Sequence, residues 1–156
     1  RKEFGNGLCL PAGPLREPKS RLNSVDFVIR NGGDTKESYY LSSSALVNIN
    51  SPEKTFNLSL LEDKKIHAVA GIGFPDGFFN YLKGLGAKPI THVYPDHHCY
   101  CESDFSFNAD DMVVMTEKDA VKCRGAAGDN FWFLPVAAVL PERWKDDLLQ
   151  LVSSKK

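Results

Sequence analysis

The sequence predicts an α/β fold: a three-layer α/β/α domain on a parallel sheet, preceded by a loop, a short strand and a two-stranded β-ribbon linker. Three observations carry this. Compact apolar runs recur at residues 66–70, 112–115 and 131–136. Stretches with helical spacing fall between or after them, and the character of the chain changes at Lys64 or Lys65.

The elements follow in order. Residues 8–21 carry Pro11, Pro14 and Pro18; each lacks an amide donor and restricts its predecessor, so an ordered loop is expected there. Residues 25–30 are β-branched and aromatic, and Asn31-Gly32-Gly33 stops them, which predicts a short strand. Residues 39–50 and 55–60 have strand character, and Ser51-Pro52-Glu53-Lys54 turns one into the other as a ribbon with serines on one side. After the run at 66–70, Gly71-Ile72-Gly73 turns the chain. Phe78, Phe79, Leu82 and Leu85 then stand at helical spacing within residues 75–85. Strands at 89–94, 112–115 and 131–136 alternate with helices at 117–123 and 142–152, the pattern of a parallel sheet. The expected domains are therefore residues 1–38, residues 39–62 as the ribbon, and residues 63–156.

Composition limits the function classes. With 156 residues, 42% hydrophobic and 25% charged, the chain is long enough for one substantial core and an attached arm. Nineteen basic against 20 acidic residues leave a formal net charge of -1, which gives no reason to expect nucleic acid as a partner. No stretch approaches the roughly 18 apolar residues of a membrane span, and Arg1, Lys2, Glu3 lead into no signal-peptide core, so a soluble chain is expected. Cys99 and Cys101 are one residue apart, and Cys9 and Cys123 stand alone; reduced cytosolic thiols are the expectation. The chain opens on the turn-rich Phe4-Gly5-Asn6-Gly7 with no element before it, which suggests a piece of something longer.

The densest polar cluster is Tyr94-Pro95-Asp96-His97-His98-Cys99-Tyr100-Cys101, directly after a strand end, where parallel α/β sheets bind ligands. One bland alternative is a solvated loop histidine beside a packed one. Another is zinc, disfavoured because the ligands are adjacent and no C-x-x-C pair is present. Leu10-Pro11-Ala12-Gly13-Pro14-Leu15-Arg16-Glu17 forms a second candidate: Arg16 can grip phosphate oxygens with its planar fork, and Glu17 can reach Mg2+ or orient the arginine. A surface ion pair on a stiff loop is the competing explanation. Thr116-Glu117-Lys118-Asp119 opens a helix after a buried strand; Thr116 with Asp119 reads as a capping box, which leaves Thr116, Lys118 and Asp119 as secondary candidates. Gly71-Ile72-Gly73 could cradle an anion or simply turn. No G-x-x-x-x-G-K-[ST] phosphate-binding loop occurs; Gly84-Leu85-Gly86-Ala87-Lys88 follows a helix and has Pro89 where the hydroxyl belongs.

Taken together, Phe4-Gly5-Asn6-Gly7, residues 10–18, Val69-Ala70-Gly71-Ile72-Gly73, Phe78-Phe79, Pro95-Asp96-His97-His98 and Thr116-Glu117-Lys118-Asp119-Ala120-Val121-Lys122 resemble the tetraacyldisaccharide 4'-kinase family. The resemblance spans essentially the whole chain and fits its C-terminal portion. It implies an ATP- and Mg2+-dependent kinase of lipid A biosynthesis, peripheral on the cytoplasmic face of the bacterial inner membrane. That kinase phosphorylates the 4'-hydroxyl of tetraacyldisaccharide 1-phosphate to give lipid IVA. It also implies an N-terminal P-loop domain, absent here, that supplies the nucleotide cradle, the metal ligands, a membrane-docking helix and an aspartate base. On this resemblance His97 partners that base, Asp96 belongs to the same motif, and Arg16 and Glu17 lie near the nucleotide phosphates and Mg2+. His97 would reach the base after closure about the ribbon, and the chain alone is expected to be inactive. The alternative from a different class is a stand-alone phosphate- or metal-binding α/β module using Gly71, Gly73 and residues 96–101.

Overall fold

The structure, a computed structural model, describes residues 4–32, 38–108, 110–123 and 125–154. Arg1, Lys2 and Glu3, and Gly33 of the expected strand stop, lie outside the described residues. The strands in chain order are β1 (Arg30–Asn31), β2 (Ser38–Ser42), β3 (Ala45–Asn48), β4 (Thr55–Asn57), β5 (Lys65–Ala70), β6 (Lys88–Val93), β7 (Val113–Thr116), β8 (Phe131–Leu134) and β9 (Ala137–Val139). The α-helices are α1 (Asp76–Gly84), α2 (Glu117–Cys123) and α3 (Glu142–Ser154), with 3-10 turns at Lys19–Ser24, Leu58–Leu61 and Glu102–Phe105. The chain divides into two compact units, Arg1–Tyr40 with Ala138–Lys156, and Leu41–Ala137.

The first unit begins with the expected ordered loop. Leu10 and Leu15 close it through backbone bonds, Leu10 N–H to Leu15 O at 2.8 Å and Leu15 N–H to Leu8 O at 3.2 Å. The Asn6 amide side chain donates to Ala12 O at 2.9 Å, so the prolines are framed by bonds that other residues supply. The strand expected over 25–30 is only β1, at Arg30–Asn31, pairing parallel with β2 in a sheet of order β1-β2-β9. The preceding apolar residues serve packing instead of a ladder: Phe27 meets Trp144 of α3 edge-on at 5.0 Å.

The second unit is a six-stranded sheet of order β4-β3-β8-β7-β5-β6, in which β8, β7, β5 and β6 run parallel. Alternation along each strand sends side chains to opposite faces. Ile66, Ala68 and Ala70 of β5 and Val114 of β7 join Phe79 and Leu82 of α1 in one core. Val69, Val113 and Met115 join Ala120 and Cys123 of α2 in the other. This gives helix, sheet and helix as three layers, with α1 packed through the spacing that predicted it.

Two expectations change in detail. The long strand expected at 39–50 breaks at Ser43-Ser44 into β2 and β3, and the strand expected at 55–60 stops at Asn57, whose side chain caps the next turn by accepting from Ser59 N–H at 3.0 Å. The ribbon expected at 39–62 is thus the short hairpin β3-β4, and it is not a separate arm: Val47 and Asn48 of β3 pair antiparallel with Phe133 and Trp132 of β8. Leu46 is fully buried and Asn48 nearly so, with its amide donating to Asp129 O at 2.8 Å. Hydrogen bonding and burial make this hairpin the antiparallel edge of the sheet.

Candidate functional site

In the parallel part of the sheet β5 leads through α1 to β6 on one side, while β7 leads through α2 to β8 on the other. Strand order therefore reverses between β5 and β7, and the crevice beyond their carboxyl ends is where open α/β sheets bind ligands. Three loops meet there: Gly71-Ile72-Gly73 after β5, residues 94–101 after β6, and Thr116 at the β7–α2 junction.

Asp119 ties these loops together. It is fully buried on the first turn of α2 and accepts from Gly71 N–H at 3.0 Å and from the Thr116 hydroxyl at 2.6 Å, with Lys122 Nζ at 3.5 Å. Asp119 N–H in turn donates to Thr116 Oγ1 at 3.3 Å. Half of the expected capping box is present; the other half departs, because the carboxylate reaches the threonine hydroxyl and a different loop. Of the two readings of Gly71-Ile72-Gly73, a turn or an anion cradle, the Gly71 amide is taken by the chain's own aspartate. Glycine is required at 71 because a Cβ there would lie 2.7 Å from Tyr100 Oη, 3.1 Å from Asp119 Oδ1 and 3.2 Å from Pro95 O.

Tyr100 fills the crevice from the third loop. It is 9% exposed and its hydroxyl has no hydrogen-bond partner among the described residues. Burial, then the nearby Asp119 carboxylate, push the phenol far above its usual range. Cys123, buried behind Asp119, is likewise pushed up to about 12, by burial first and then by Asp119, so this thiol is inert.

At the rim, the two histidines separate. His98 is the packed one: Nε2 lies 3.0 Å from Asp104 Oδ2, and its ring stacks on Tyr94 at 4.7 Å and meets Tyr100 edge-on at 4.9 Å. Asp104 also accepts from Cys101 N–H at 2.9 Å; that backbone bond, followed by the one to His98, holds its carboxyl below the usual range. His97 is the solvated one, its side chain 79% exposed and its backbone in the left-handed region at φ 65°. Asp96 Oδ1 accepts from His97 N–H at 3.1 Å and from Lys118 Nζ at 2.7 Å. Asp96 Oδ2 stands 3.8 Å from His97 Nε2, too far for a hydrogen bond. The Lys118 bond is the main reason that the Asp96 carboxyl lies below its usual range.

The structure thus brings Asp96, His97, Thr116, Lys118 and Asp119 to one edge of the second unit, with Gly71, whose bond to Asp119 spacing alone did not single out, and Tyr100 beside them. Arg16 and Glu17 belong to the first unit. Both are exposed, and Glu17 pairs with Arg21 at 3.3 Å one helical turn on.

A model of the tetraacyldisaccharide-1-P 4'-kinase family matches residues 1–153. The chain belongs to that family. It is 47% identical over 149 residues to a tetraacyldisaccharide 4'-kinase of Methylobacillus flagellatus, covering 94% of this chain and 44% of that protein. It is 42% identical to the Coxiella burnetii enzyme, covering 98% and 45%, and 45% identical to that of Pseudomonas syringae pv. tomato, covering 96% and 47%. The chain thus spans about half the length of the curated relatives it matches. Among solved structures, the "apo" form of LpxK from Aquifex aeolicus in complex with ATP superposes with a TM-score of 0.64 at 25% identity. That match covers 94% of this chain and 48% of the Aquifex chain.

Proposed function

We propose that this chain is the C-terminal portion of an ATP-dependent kinase that phosphorylates the 4'-hydroxyl of tetraacyldisaccharide 1-phosphate, forming lipid IVA in lipid A biosynthesis. The observation that carries the reading is the family match over residues 1–153, joined to an exposed histidine at the reversal point of the sheet. The chain contains no Walker loop, so the nucleotide cradle, the Mg2+ ligands and an aspartate base are assigned to an N-terminal P-loop domain, and the chain alone is inactive. The whole enzyme works at the cytoplasmic face of the inner membrane, where its lipid substrate lies.

Phosphoryl transfer needs charge neutralisation, alignment and removal of the hydroxyl proton. His97 is suited to the last of these, because its imidazole is solvent-facing and makes no hydrogen bond to Asp96, which leaves it available to orient an incoming carboxylate base and share the proton. Arg16 offers an exposed guanidinium for phosphate oxygens. Glu17 offers an exposed carboxylate near the Mg2+ of the Mg-ATP substrate or beside Arg16 to orient it, with Arg21 as its competitor. Thr116 and Asp119 form the frame behind the rim.

Incubating the whole-length protein with Mg-ATP and tetraacyldisaccharide 1-phosphate tests the reading, with lipid IVA as the expected product; no product overturns it. In the same assay Arg16→Ala and Glu17→Gln raise the KM for Mg-ATP roughly tenfold, the loss of one charge-assisted contact of about 1.4 kcal/mol. An unchanged KM removes them from the nucleotide site.

A further inference from the structure

We propose that Lys118 is a positioning residue for His97: its ammonium fixes the Asp96 carboxylate, which clamps the His97 amide so that the imidazole is presented outward from one backbone conformation. The inference rests on the assignment of His97 above and adds to it a residue that touches no reacting atom.

Several observations converge on Lys118. It occupies the second position of α2, where the positive end of the helix dipole disfavours a cation and where Glu117 and Asp119 supply the expected acids. Asp96 at 2.7 Å offsets that unfavourable placement. Asp96 lies on the loop after β6 and Lys118 on the first turn of α2, so the pair joins the segment after β6 to the helix after β7. The same Asp96 oxygen holds His97 N–H. His97 at φ 65° stands in the left-handed region, which residues with a Cβ adopt uncommonly and histidine more often than most, so a bond to its amide helps to hold that conformation. With Oδ1 doubly engaged and Oδ2 3.8 Å from the ring, Asp96 acts on the backbone of His97 and leaves its imidazole to another group. Asp96 is therefore a clamp. A carboxylate held ionised by a lysine is also a weak proton acceptor, which argues against Asp96 as the base.

The experiment uses the whole-length enzyme with Lys118→Met, Lys118→Arg and His97→Ala. Lys118 is about half exposed, so neither substitution at 118 opens a core cavity. Lys118→Met is expected to lower kcat roughly tenfold to a hundredfold, the effect of a misplaced catalytic group, with the KM for ATP unchanged. Lys118→Arg restores most of the loss. Wild-type kcat in Lys118→Met alongside a disabled His97→Ala overturns the positioning role and leaves the assignment of His97 standing. Failure of Lys118→Arg to recover the loss also overturns it, since a cation on Asp96 would then not be what His97 needs. Wild-type activity in both variants overturns the assignment of His97 and this inference with it.

Discussion

At the residue scale the informative groups are those whose chemistry is spent inside the protein. Asp119 is a fully buried carboxylate whose partners, Gly71 N–H and the Thr116 hydroxyl, come from the ends of two adjacent strands. A sequence shows the threonine three positions away; it does not show the glycine 48 residues upstream. Tyr100 is the opposite case, a buried hydroxyl with no partner among the described residues. The Asp119 carboxylate is the charged group beside this hydroxyl, and Tyr100→Phe is expected to change stability by less than about 1 kcal/mol in urea unfolding. A clear loss of stability would show that the hydroxyl has a partner after all. Asp96 and His97 stand side by side in the sequence as candidate site residues, but the bond that distinguishes them runs from Asp96 to Lys118, 22 residues away on another element.

At the scale of elements, the parallel strands and α1 were readable because their residues report their own surroundings. The run at 66–70 is apolar because both sheet faces are covered, and Phe79 and Leu82 lie at a spacing that makes one helical face. The hairpin β3-β4 was readable as strands but not as part of this sheet, because pairing of Val47 with Phe133 is a register between distant segments that periodicity does not encode. The segment between β6 and β7 is an element of another kind, held to the sheet by aromatic and imidazole rings: Tyr94 stacks on His98 and Tyr100 on Phe105, His98 meets Tyr100 edge-on, and Asp104 ties His98 to Cys101 N–H. The Asp104 carboxyl is depressed in the fold, so its contribution to stability is present above its ordinary unfolded range and is lost as pH falls through the lower folded value. Asp104→Asn is accordingly expected to destabilise the protein at pH 7 by denaturant unfolding, with the gap to wild type closing below about pH 4. A gap that persists unchanged into acid would assign the effect to packing alone.

At the scale of the whole molecule, the chain is two units that each carry part of the proposed chemistry, Arg16 and Glu17 on the first and His97 with its supports on the second. The family match runs through both, and the chain spans about half of each curated relative. On the proposed reading, His97 contributes to phosphoryl transfer by completing a site whose nucleotide cradle an N-terminal domain supplies. The central claim is that His97 is the group this half supplies. Steady-state transfer of phosphate from ATP to tetraacyldisaccharide 1-phosphate by whole-length His97→Ala tests it most directly. A fall in kcat of roughly a hundredfold or more, with the KM for ATP held, is the predicted result for loss of proton-transfer assistance; turnover equal to wild type would contradict it.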